Sequence, residues 1–331
     1  MDSFEDKIAV VTGGGTGMGR ELARQLASAG CHVAMCDVSE ENMEQTKSLC
    51  EADAPANVRV TTHLADVSEE AQVLAFRDAV MEEQETDCVH LVFNNAGIGG
   101  GGSLILDDRE PWEKTFNVCW FGVYYSTRAF LPLLLAAEEG HLINTSSVNG
   151  FWASLGPDMA HTAYSSAKFA VKGFTEALIN DFKLNAPHIN VSLVMPGHIG
   201  TSIIINSGRM LGSDPKEMSD EDLAVARKDF TRRGFDLGEA TNEQIRQALV
   251  MMGESFRDEA PMTAAEAAKI ILDGVHDRRW RILVGEDARI LDELVREDPE
   301  GAYGQAFMER LVETANWGLG NLGGPAADSA K

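Results

Sequence analysis

Tyr164 and Lys168 stand four residues apart in the run Tyr164-Ser165-Ser166-Ala167-Lys168. Residues i and i+4 share one face of an α-helix, so this spacing predicts a phenol beside an ammonium group. A phenol has a pKa of about 10, and a nearby positive charge favours the phenolate and lowers that value. A tyrosine tuned in this way exchanges a proton with an alcohol or a carbonyl oxygen. Because the same spacing is common on surface helices, other motifs must decide whether the pair does chemistry.

A glycine-rich segment directly follows the first predicted strand. It is Thr12-Gly13-Gly14-Gly15-Thr16-Gly17-Met18-Gly19. Glycine lets the backbone turn sharply and approach a diphosphate closely, and the following helix N-terminus offers free N–H groups. The segment therefore predicts a dinucleotide site. Its expected contacts are Gly13, Gly15, Thr16, Gly17, Met18 and Gly19.

Asp37 ends the second predicted strand, 20 residues after Gly17, and Val38 follows it. A carboxylate at this place accepts hydrogen bonds from the ribose hydroxyls of adenosine and repels the 2′-phosphate of NADP. No Arg or Lys lies inside the glycine loop or directly after Asp37 to offset that repulsion. We therefore predict NAD as the preferred cofactor, with Asp37 and Val38 at the adenosine end.

Charge and composition exclude several classes of partner. The 331 residues include 28 Lys plus Arg and 52 Asp plus Glu, a net charge of −24. This surface repels phosphate backbones and anionic lipids, so we expect neither nucleic acid nor a membrane as partner. Five cysteines without Cys-x-x-Cys spacing, an acidic start and a longest apolar stretch (129–137) too short for a bilayer favour a cytoplasmic protein. Eight histidines without metal-ligand spacing predict no metal site.

Short apolar runs alternate with longer amphipathic ones along most of the chain. Predicted strands cover 7–11, 32–36, 58–63, 89–93, 141–145, 190–194 and 281–284. Predicted helices lie near 17–29, 40–52, 69–84, 112–137 and 162–185. This order predicts an α/β fold: a Rossmann-type doubly wound parallel sheet of about seven strands with helices on both faces. We expect one domain, 1–331.

Two segments depart from this alternation. Residues 198–262 have the length of an inserted substrate lid, and their apolar content favours a substrate with a bulky hydrophobic or aromatic part. Their basic cluster either receives an anionic group of the substrate or forms a solvated helix face; its members are Arg227, Lys228, Arg232 and Arg233. Residues 286–331 predict a C-terminal helical extension with a break at Asp298-Pro299 and a disordered Gly/Ala-rich tail at 318–331.

The glycine loop and the Tyr/Lys pair together resemble the short-chain dehydrogenase/reductase family, in its single-domain branch acting on alcohols and ketones. The resemblance extends from residue 7 to about residue 201 and includes five further motifs in order. They are Asp66-Val67, Asn94-Asn95-Ala96-Gly97, Asn117, Asn144-Thr145-Ser146-Ser147 and Pro196-Gly197-His198-Ile199-Gly200-Thr201. The further cofactor contacts that it implies are Asp66, Val67, Asn94, Ala96, Gly97, Tyr164, Lys168, Pro196, Gly197, Ile199 and Thr201.

The resemblance also implies how the site works. Tyr164 is expected to be the general acid/base, while Lys168 lowers its pKa and holds the nicotinamide ribose. Ser147 is expected to hydrogen-bond the substrate oxygen, and Asn117 to anchor a water that relays protons with Lys168. Hydride moves between nicotinamide C4 and the substrate carbon. The implied reaction interconverts a secondary alcohol and a ketone, and the implied assembly is a homodimer or homotetramer.

One feature departs from the family pattern. The family usually places its serine about 13 residues before the tyrosine, and that position holds Phe151 here. Ser147, at the predicted strand end, stands 17 residues before Tyr164, which indicates an insertion of about four residues within 151–161. Ser147 is the preferred candidate because a strand end is a rigid platform, and Ser146 and Ser154 are lesser ones.

Two rival functions stay open at this stage. An epimerase or dehydratase of the longer-chain relatives shares the Tyr/Lys pair, although such enzymes space their glycines as Gly-x-x-Gly-x-x-Gly. A homologue that binds NAD without catalysis is the second rival. Retention of Asn117, Ser147, Tyr164 and Lys168 argues against it. His161, three residues before Tyr164, is interpreted either as a substrate contact or as a loop histidine bound to water.

Overall fold

The computed structural model describes residues 1–156, 159–232, 239–315 and 317–319. Its main strands are β1 (Ile8–Thr12), β2 (His32–Asp37), β3 (Val60–Leu64), β4 (Leu91–Asn94), β5 (Gly140–Thr145), β6 (Ile189–Pro196) and β9 (Arg281–Val284). They form one parallel sheet in the order β3-β2-β1-β4-β5-β6-β9. The predicted Rossmann-type sheet is therefore confirmed. Its order reverses between β1 and β4, where such sheets bind ligands.

Helices cover both faces of the sheet. They are α1 (Gly17–Ser28), α2 (Glu40–Asp53), α3 (Glu70–Glu83), α4 (Arg109–Phe116), α5 (Gly122–Ala136), α6 (Thr162–Asn185), α10 (Ala264–His276), α11 (Glu286–Glu297) and α12 (Gln305–Ala315). Helices α1, α2 and α10 contribute to the hydrophobic core on one face, and α3, α5 and α6 to the core on the other. Leu22 and Leu26, one turn apart on α1, are fully buried. They share a hydrophobic core cluster with Ala9 and Val11 of β1.

The predicted elements match the observed ones closely because their apolar periodicity is local. Each predicted strand begins and ends within two residues of the observed strand. The predicted helix 112–137 is divided: a π-helical turn at Asn117–Phe121 lies between α4 and α5. The spacing of apolar residues does not reveal such a turn, which changes the backbone hydrogen bonding of the helix.

The inserted segment forms three helices and two short strands within the described residues. They are β7 (Ile199–Gly200), α7 (Ile203–Met210), α8 (Asp220–Arg232), α9 (Asn242–Asp258) and β8 (Met262–Thr263), and β7 pairs with β8. Much of its apolar content fills a local core of Leu223, Phe230 and Ile245, to which Met252 adds. These side chains therefore stabilise the insert itself, so its apolar content is weaker support for an apolar substrate than predicted.

The C-terminal extension packs against its own chain. Helix α11 ends at Glu297 and α12 begins at Gln305, so the predicted break at Asp298-Pro299 is confirmed. Side chains of α11 and α12 share one buried cluster with Val148 and Trp152, which follow β5. The predicted disordered tail, 318–331, lies outside the described residues from 320 onward.

One helical stretch has the length and apolar composition of a membrane span. Residues Arg109–Ala136 form 28 helical residues, a longer stretch than the 129–137 segment considered from sequence. More than half of its most apolar window, 56%, is buried inside the fold. Its α5 part packs against α3, β4 and β5, as expected for a core helix of a globular domain.

Candidate active site

A cleft opens at the carboxyl ends of the strands where the sheet order reverses. Its floor is the glycine loop between β1 and α1, and its walls come from the loops after β2, β3 and β4 and from α7. The predicted cofactor residues that line it are Gly13, Thr16, Gly17, Met18, Asp37, Val38, Asp66, Val67, Ala96, Gly97 and Thr201. The sequence analysis missed several other lining residues: Ser39, Asn42, Ala65, Asn95, Ile98, Val118, Ile203, Asn206, Arg209 and Met210.

Several glycine positions of this loop are in a left-handed conformation or lie too close to neighbouring atoms for a side chain. Gly13 and Gly17 have positive φ angles of 68° and 55°, which glycine adopts without strain. A Cβ on Gly19 would lie 2.0 Å from the carbonyl oxygen of Gly13. Helix α1 begins at Gly17, and its N-cap residue Thr16 makes no side-chain cap. The first N–H groups of α1 therefore have no side-chain partner and are available to bind an anion.

Asp37 is held in position by the glycine loop. Its Oδ2 accepts a hydrogen bond from the Gly15 N–H at 3.0 Å, and its Oδ1 accepts one from the Ser39 N–H at 3.1 Å. Burial raises the pKa of the Asp37 carboxyl, and these backbone bonds oppose that rise. Arg20 does not bond Asp37; its guanidinium donates to the Gly15 carbonyl and to Thr46. Asp37 is therefore fixed at the wall of the cleft, beside the glycine loop.

Asp66 is paired before any ligand binds. Lys114 Nζ contacts Asp66 Oδ2 at 2.7 Å, and the Ser68 hydroxyl donates to Asp66 Oδ1 at 2.6 Å. Burial alone would raise the pKa of this carboxyl, but the bonds from Lys114 and Ser68 lower it overall. A charged Asp66 thus stays at the wall of the cleft, beside Val67.

Asn94 is buried in the core and is not among the described residues that line the cleft. Its Nδ2 donates to Asn144 Oδ1 at 2.8 Å and to Thr127 Oγ1 at 2.9 Å, within the core. The neighbouring Asn95 lines the cleft instead, because successive side chains alternate across a strand end. Thr12 Oγ1 accepts the N–H groups of Asn95 and Ala96 and so ties the end of β1 to the loop after β4.

Ser147 acts on Tyr164: its side chain stabilises the charged form of the phenol and so opposes the rise in the pKa of Tyr164. Ser147 lies two residues after the end of β5, and its Oγ accepts the N–H of Asn149 at 3.1 Å. This acceptor bond leaves the Ser147 proton free to be donated toward Tyr164 or toward a substrate oxygen. The other candidate serines are bonded elsewhere: Ser146 donates to the carbonyl of Lys168, and Ser154 to that of Gly156.

Lys168 lies under the Tyr164 ring. Its Nζ is 5.4 Å from the ring centroid and donates to the Thr145 carbonyl at 2.9 Å. Burial raises the pKa of Tyr164, the proximity of Cys119 adds to the rise, and the bond from Ser147 opposes it. This direction is opposite to the predicted one, and burial of the phenol is its largest cause. Burial also lowers the pKa of Lys168.

The fold and this cleft agree with the comparison of the chain with known families. The sequence profile of the short chain dehydrogenase family matches residues 7–211. The chain belongs to the short-chain dehydrogenase family. The matched segment contains β1 to β6, the glycine loop and the Ser147, Tyr164 and Lys168 cluster.

Several relatives extend the likeness beyond the matched segment. The oxidoreductase SadH of Mycobacterium tuberculosis is 33% identical over 296 residues, which are 89% of this chain and 92% of the length of SadH. Levodione reductase of Leifsonia aquatica is 31% identical over 224 residues, 67% of this chain and 80% of its own length. A solved short-chain dehydrogenase/reductase of Burkholderia phymatum in complex with NAD has a TM-score of 0.71 at 29% identity, covering 91% of this chain and 96% of its own. A solved metagenomic relative is in complex with NADP, with a TM-score of 0.52 at 29% identity over 59% of this chain and 84% of its own.

The loop after Ser147 is anchored by the C-terminal extension of this dehydrogenase. Trp152 is 1% exposed, and its Nε1 donates to the Ala302 carbonyl at 2.7 Å. Trp317 Nε1 donates to the Leu155 carbonyl at 3.1 Å. The side-chain amide of Asn149 donates to the Trp152 carbonyl at 3.0 Å. The inserted residues after Ser147 are therefore held from both sides, although 157–158 lie outside the described residues.

Asn117 occupies the first position of the π-helical turn. Its carbonyl oxygen accepts the Gly122 N–H, five residues on, which is the hydrogen bond that defines the turn. Asn117 lines a surface groove with Arg109, Glu113 and Lys114 of α4, outside the main cleft. Such turns recur at functional sites of enzymes, which is consistent with the role that the family resemblance assigns to Asn117.

The loop 196–201 is supported by Asp287 of α11, which the sequence analysis did not single out. A Cβ on Gly197 would lie 2.3 Å from Asp287 Oδ2, and the His198 N–H donates to the same oxygen at 2.7 Å. Of the predicted contacts in this loop, Thr201 lines the cleft, whereas Pro196 ends β6, Gly197 follows it and Ile199 begins β7. Residues 198 and 287 are 89 residues apart, so no local sequence pattern indicates this contact.

His161 contacts the Tyr164 ring, with ring centroids 4.8 Å apart. Burial lowers the pKa of His161 to about 4, so the imidazole is neutral at physiological pH. In the basic cluster, Arg227 donates to the Ala240 carbonyl and Lys228 is exposed, while the side chain of Arg232 and all of Arg233 lie outside the described residues. No group of three or more metal-ligating side chains is found within the described residues.

Proposed function

We propose that this chain is an NAD(H)-dependent oxidoreductase that interconverts a secondary alcohol and a ketone. The observation that carries the proposal is the grouping of Ser147, Tyr164 and Lys168: the Ser147 side chain lowers the pKa of the Tyr164 phenol, and Lys168 Nζ lies 5.4 Å from the Tyr164 ring centroid. It places a fixed hydrogen-bond donor and a proton-exchanging phenol at one point, which is what the oxygen of an alcohol or ketone requires.

The adjacent cleft fits a dinucleotide. A Cβ on Gly13 would lie 2.8 Å from Ala96 Cα, so the loop surface is bare backbone there. The start of α1 provides N–H groups and a partial positive charge for a diphosphate. A bound nicotinamide supplies the hydride in reduction and accepts it in oxidation.

Preference for NAD is supported by Asp37. Its carboxylate is oriented by Gly15 and Ser39 and lines the cleft. Arg20, whose charge lowers the pKa of Asp37, is turned to the Gly15 carbonyl and to Thr46. A 2′-phosphate at Asp37 would therefore meet a negative charge, whereas ribose hydroxyls would find an acceptor.

Each residue of the cluster has a distinct proposed role. Tyr164 donates its proton to the ketone oxygen in reduction and takes the alcohol proton in oxidation. Ser147 donates a hydrogen bond to the same oxygen and stabilises negative charge that develops there. Lys168 provides a buried positive charge and contacts the ribose, and Asn117 holds a water that exchanges protons with Lys168.

The proposed substrate has a bulky apolar or aromatic group beside the reacting carbon. Ile203 and Met210 of α7 and Ile98 line the cleft, and the neutral His161 ring packs beside Tyr164. These side chains are apolar or uncharged and favour an apolar group on the substrate. We also propose that the protein is cytoplasmic and assembles as a homodimer or homotetramer. Sedimentation velocity of the purified protein measures the oligomeric state.

The test is a turnover assay that follows NADH absorbance. Purified protein is given NAD⁺ or NADP⁺ with secondary alcohols, and NADH or NADPH with ketones, from small polyols to aryl-substituted compounds. We expect turnover with NAD(H), highest for bulky apolar substrates. A higher kcat/KM with NADP(H) would contradict the cofactor preference, and preference for polyols would contradict the substrate class. Cofactor binding without any turnover would favour the inactive homologue, and sugar-nucleotide conversion without net redox change the epimerase.

A further inference from the structure

The cofactor cleft is short of positive charge. Its walls include the carboxylates of Asp37 and Asp66, and the whole chain carries a net charge of −24. A dinucleotide brings a diphosphate with two negative charges into this field. Among the described residues that line the cleft, Arg209 is the one cation. The dianion therefore depends on Arg209 more than it would in a neutral protein.

Arg209 is mounted on a helix that is fastened to the cleft at two points. Asn206 Nδ2 donates to Thr16 Oγ1 of the glycine loop at 3.1 Å. The Ser207 hydroxyl accepts the N–H of Gly99, in the loop after β4, at 2.8 Å. Helix α7 thus bridges the two loops that flank the switch point of the sheet, and it holds Arg209 at the mouth of the cleft.

The guanidinium of Arg209 is only weakly engaged. Its Nε donates to Asp214 Oδ2 at 3.2 Å, and the side chain is 56% exposed. An exposed ion pair of this kind contributes little net stability, so a better anion displaces it readily. Asp214 is held independently by the Lys216 N–H, which it accepts at 3.0 Å, and keeps its place when Arg209 moves.

We propose that Arg209 is a mobile ligand of the cofactor diphosphate, exchanging Asp214 for the phosphates when the dinucleotide binds. This inference rests on the proposed function, because it requires that the cleft takes a dinucleotide. Arginine suits this role, since its planar fork donates two parallel hydrogen bonds to phosphate oxygens. Asp214 then acts as a competitor that weakens cofactor binding.

The test measures binding rather than turnover. NADH affinity is followed by the fluorescence of the bound cofactor, ADP-ribose affinity by calorimetry and adenosine affinity by ligand-observed NMR, for wild type, Arg209→Gln and Asp214→Asn. We expect R209Q to weaken NADH and ADP-ribose about tenfold, as for loss of a charge-assisted bond, and to leave adenosine unchanged. The tenfold difference should shrink as salt is added.

The Asp214→Asn variant should have the opposite effect. Removing the competing carboxylate frees Arg209, so NADH and ADP-ribose should bind about threefold more tightly, within the range of an exposed ion pair. Arg289→Gln is the matched control, because it removes one exposed arginine charge from α11, which does not line the cleft. It should bind all three ligands like wild type.

Three outcomes would overturn the inference. Wild-type ADP-ribose affinity in R209Q would show that Arg209 does not meet the diphosphate. Equal weakening of adenosine and ADP-ribose would show that the variant merely loosens α7. Equal weakening by R209Q and R289Q would show a general effect of net charge. If the wild-type chain binds neither NADH, NADPH nor ADP-ribose, the proposed function itself fails, and this inference with it.

Discussion

Trp152 and Ala302 are joined by a 2.7 Å hydrogen bond across 150 residues of sequence. The bond connects the loop that follows Ser147 to the C-terminal extension. Trp152 also packs against Phe307 and Trp317, with ring centroids 5.7 Å away in both cases. The C-terminal extension thus packs against the loop that follows Ser147, within the same chain.

The first prediction concerns this anchor. Trp152→Phe removes the indole N–H and leaves the Ala302 carbonyl without its partner, so the free energy of unfolding should fall by about 1–3 kcal/mol. Urea unfolding is the measurement. Trp280→Phe is the control, since that side chain is 46% exposed and should change stability by less than about 0.5 kcal/mol. Equal stability of W152F and wild type would show that the extension does not anchor the loop.

The second prediction separates the serine candidates. Ser147→Ala removes the donor to Tyr164 and should lower kcat by about tenfold to a thousandfold, with NADH affinity unchanged. Ser154→Ala removes a hydroxyl that bonds only Gly156 and should stay within about twofold of wild type. Steady-state kinetics and NADH fluorescence measure the two quantities. A larger loss in S154A than in S147A would reverse the assignment.

The third prediction is a pH profile. Burial raises the pKa of Tyr164 above the usual value of a phenol, so at neutral pH the side chain carries its proton. Alcohol oxidation needs the phenolate, and kcat/KM for oxidation should therefore rise with pH throughout the alkaline range, by up to about tenfold per unit. Ketone reduction needs the phenol and should stay flat from neutral to moderately alkaline pH. An oxidation plateau that begins near neutrality would show that Lys168 lowers this pKa after all.

The fourth prediction tests cofactor choice. Asp37→Ser removes the carboxylate that would repel a 2′-phosphate, so the ratio of kcat/KM for NAD⁺ over NADP⁺ should fall at least about tenfold. Asp53→Ser is the matched control, because it removes a carboxylate that pairs with Arg24 at the end of α2 and does not line the cleft. The control should keep the wild-type ratio. An unchanged ratio in D37S would remove Asp37 from cofactor discrimination.

Local patterns in the sequence determined the elements and most of the cleft. Strands such as 32–37 are buried apolar runs, and helices such as α1 repeat apolar residues every three or four positions, so both are visible within a dozen residues. The glycine loop and the spacing of Tyr164 and Lys168 are local in the same sense. The sequence also indicated the place of Ser147, which lies two residues after the end of β5.

Only the tertiary structure decided the contacts made across long separations. It showed that Asp287 supports Gly197, that Trp152 and Trp317 hold the loop after Ser147, and that α7 brings Arg209 to the cleft. It also moved Asn94 into the core and reversed the expected pKa shift of Tyr164. The physical reason is the same in each case: burial and long-range packing depend on which distant surfaces meet, and periodicity along the chain carries no information about that.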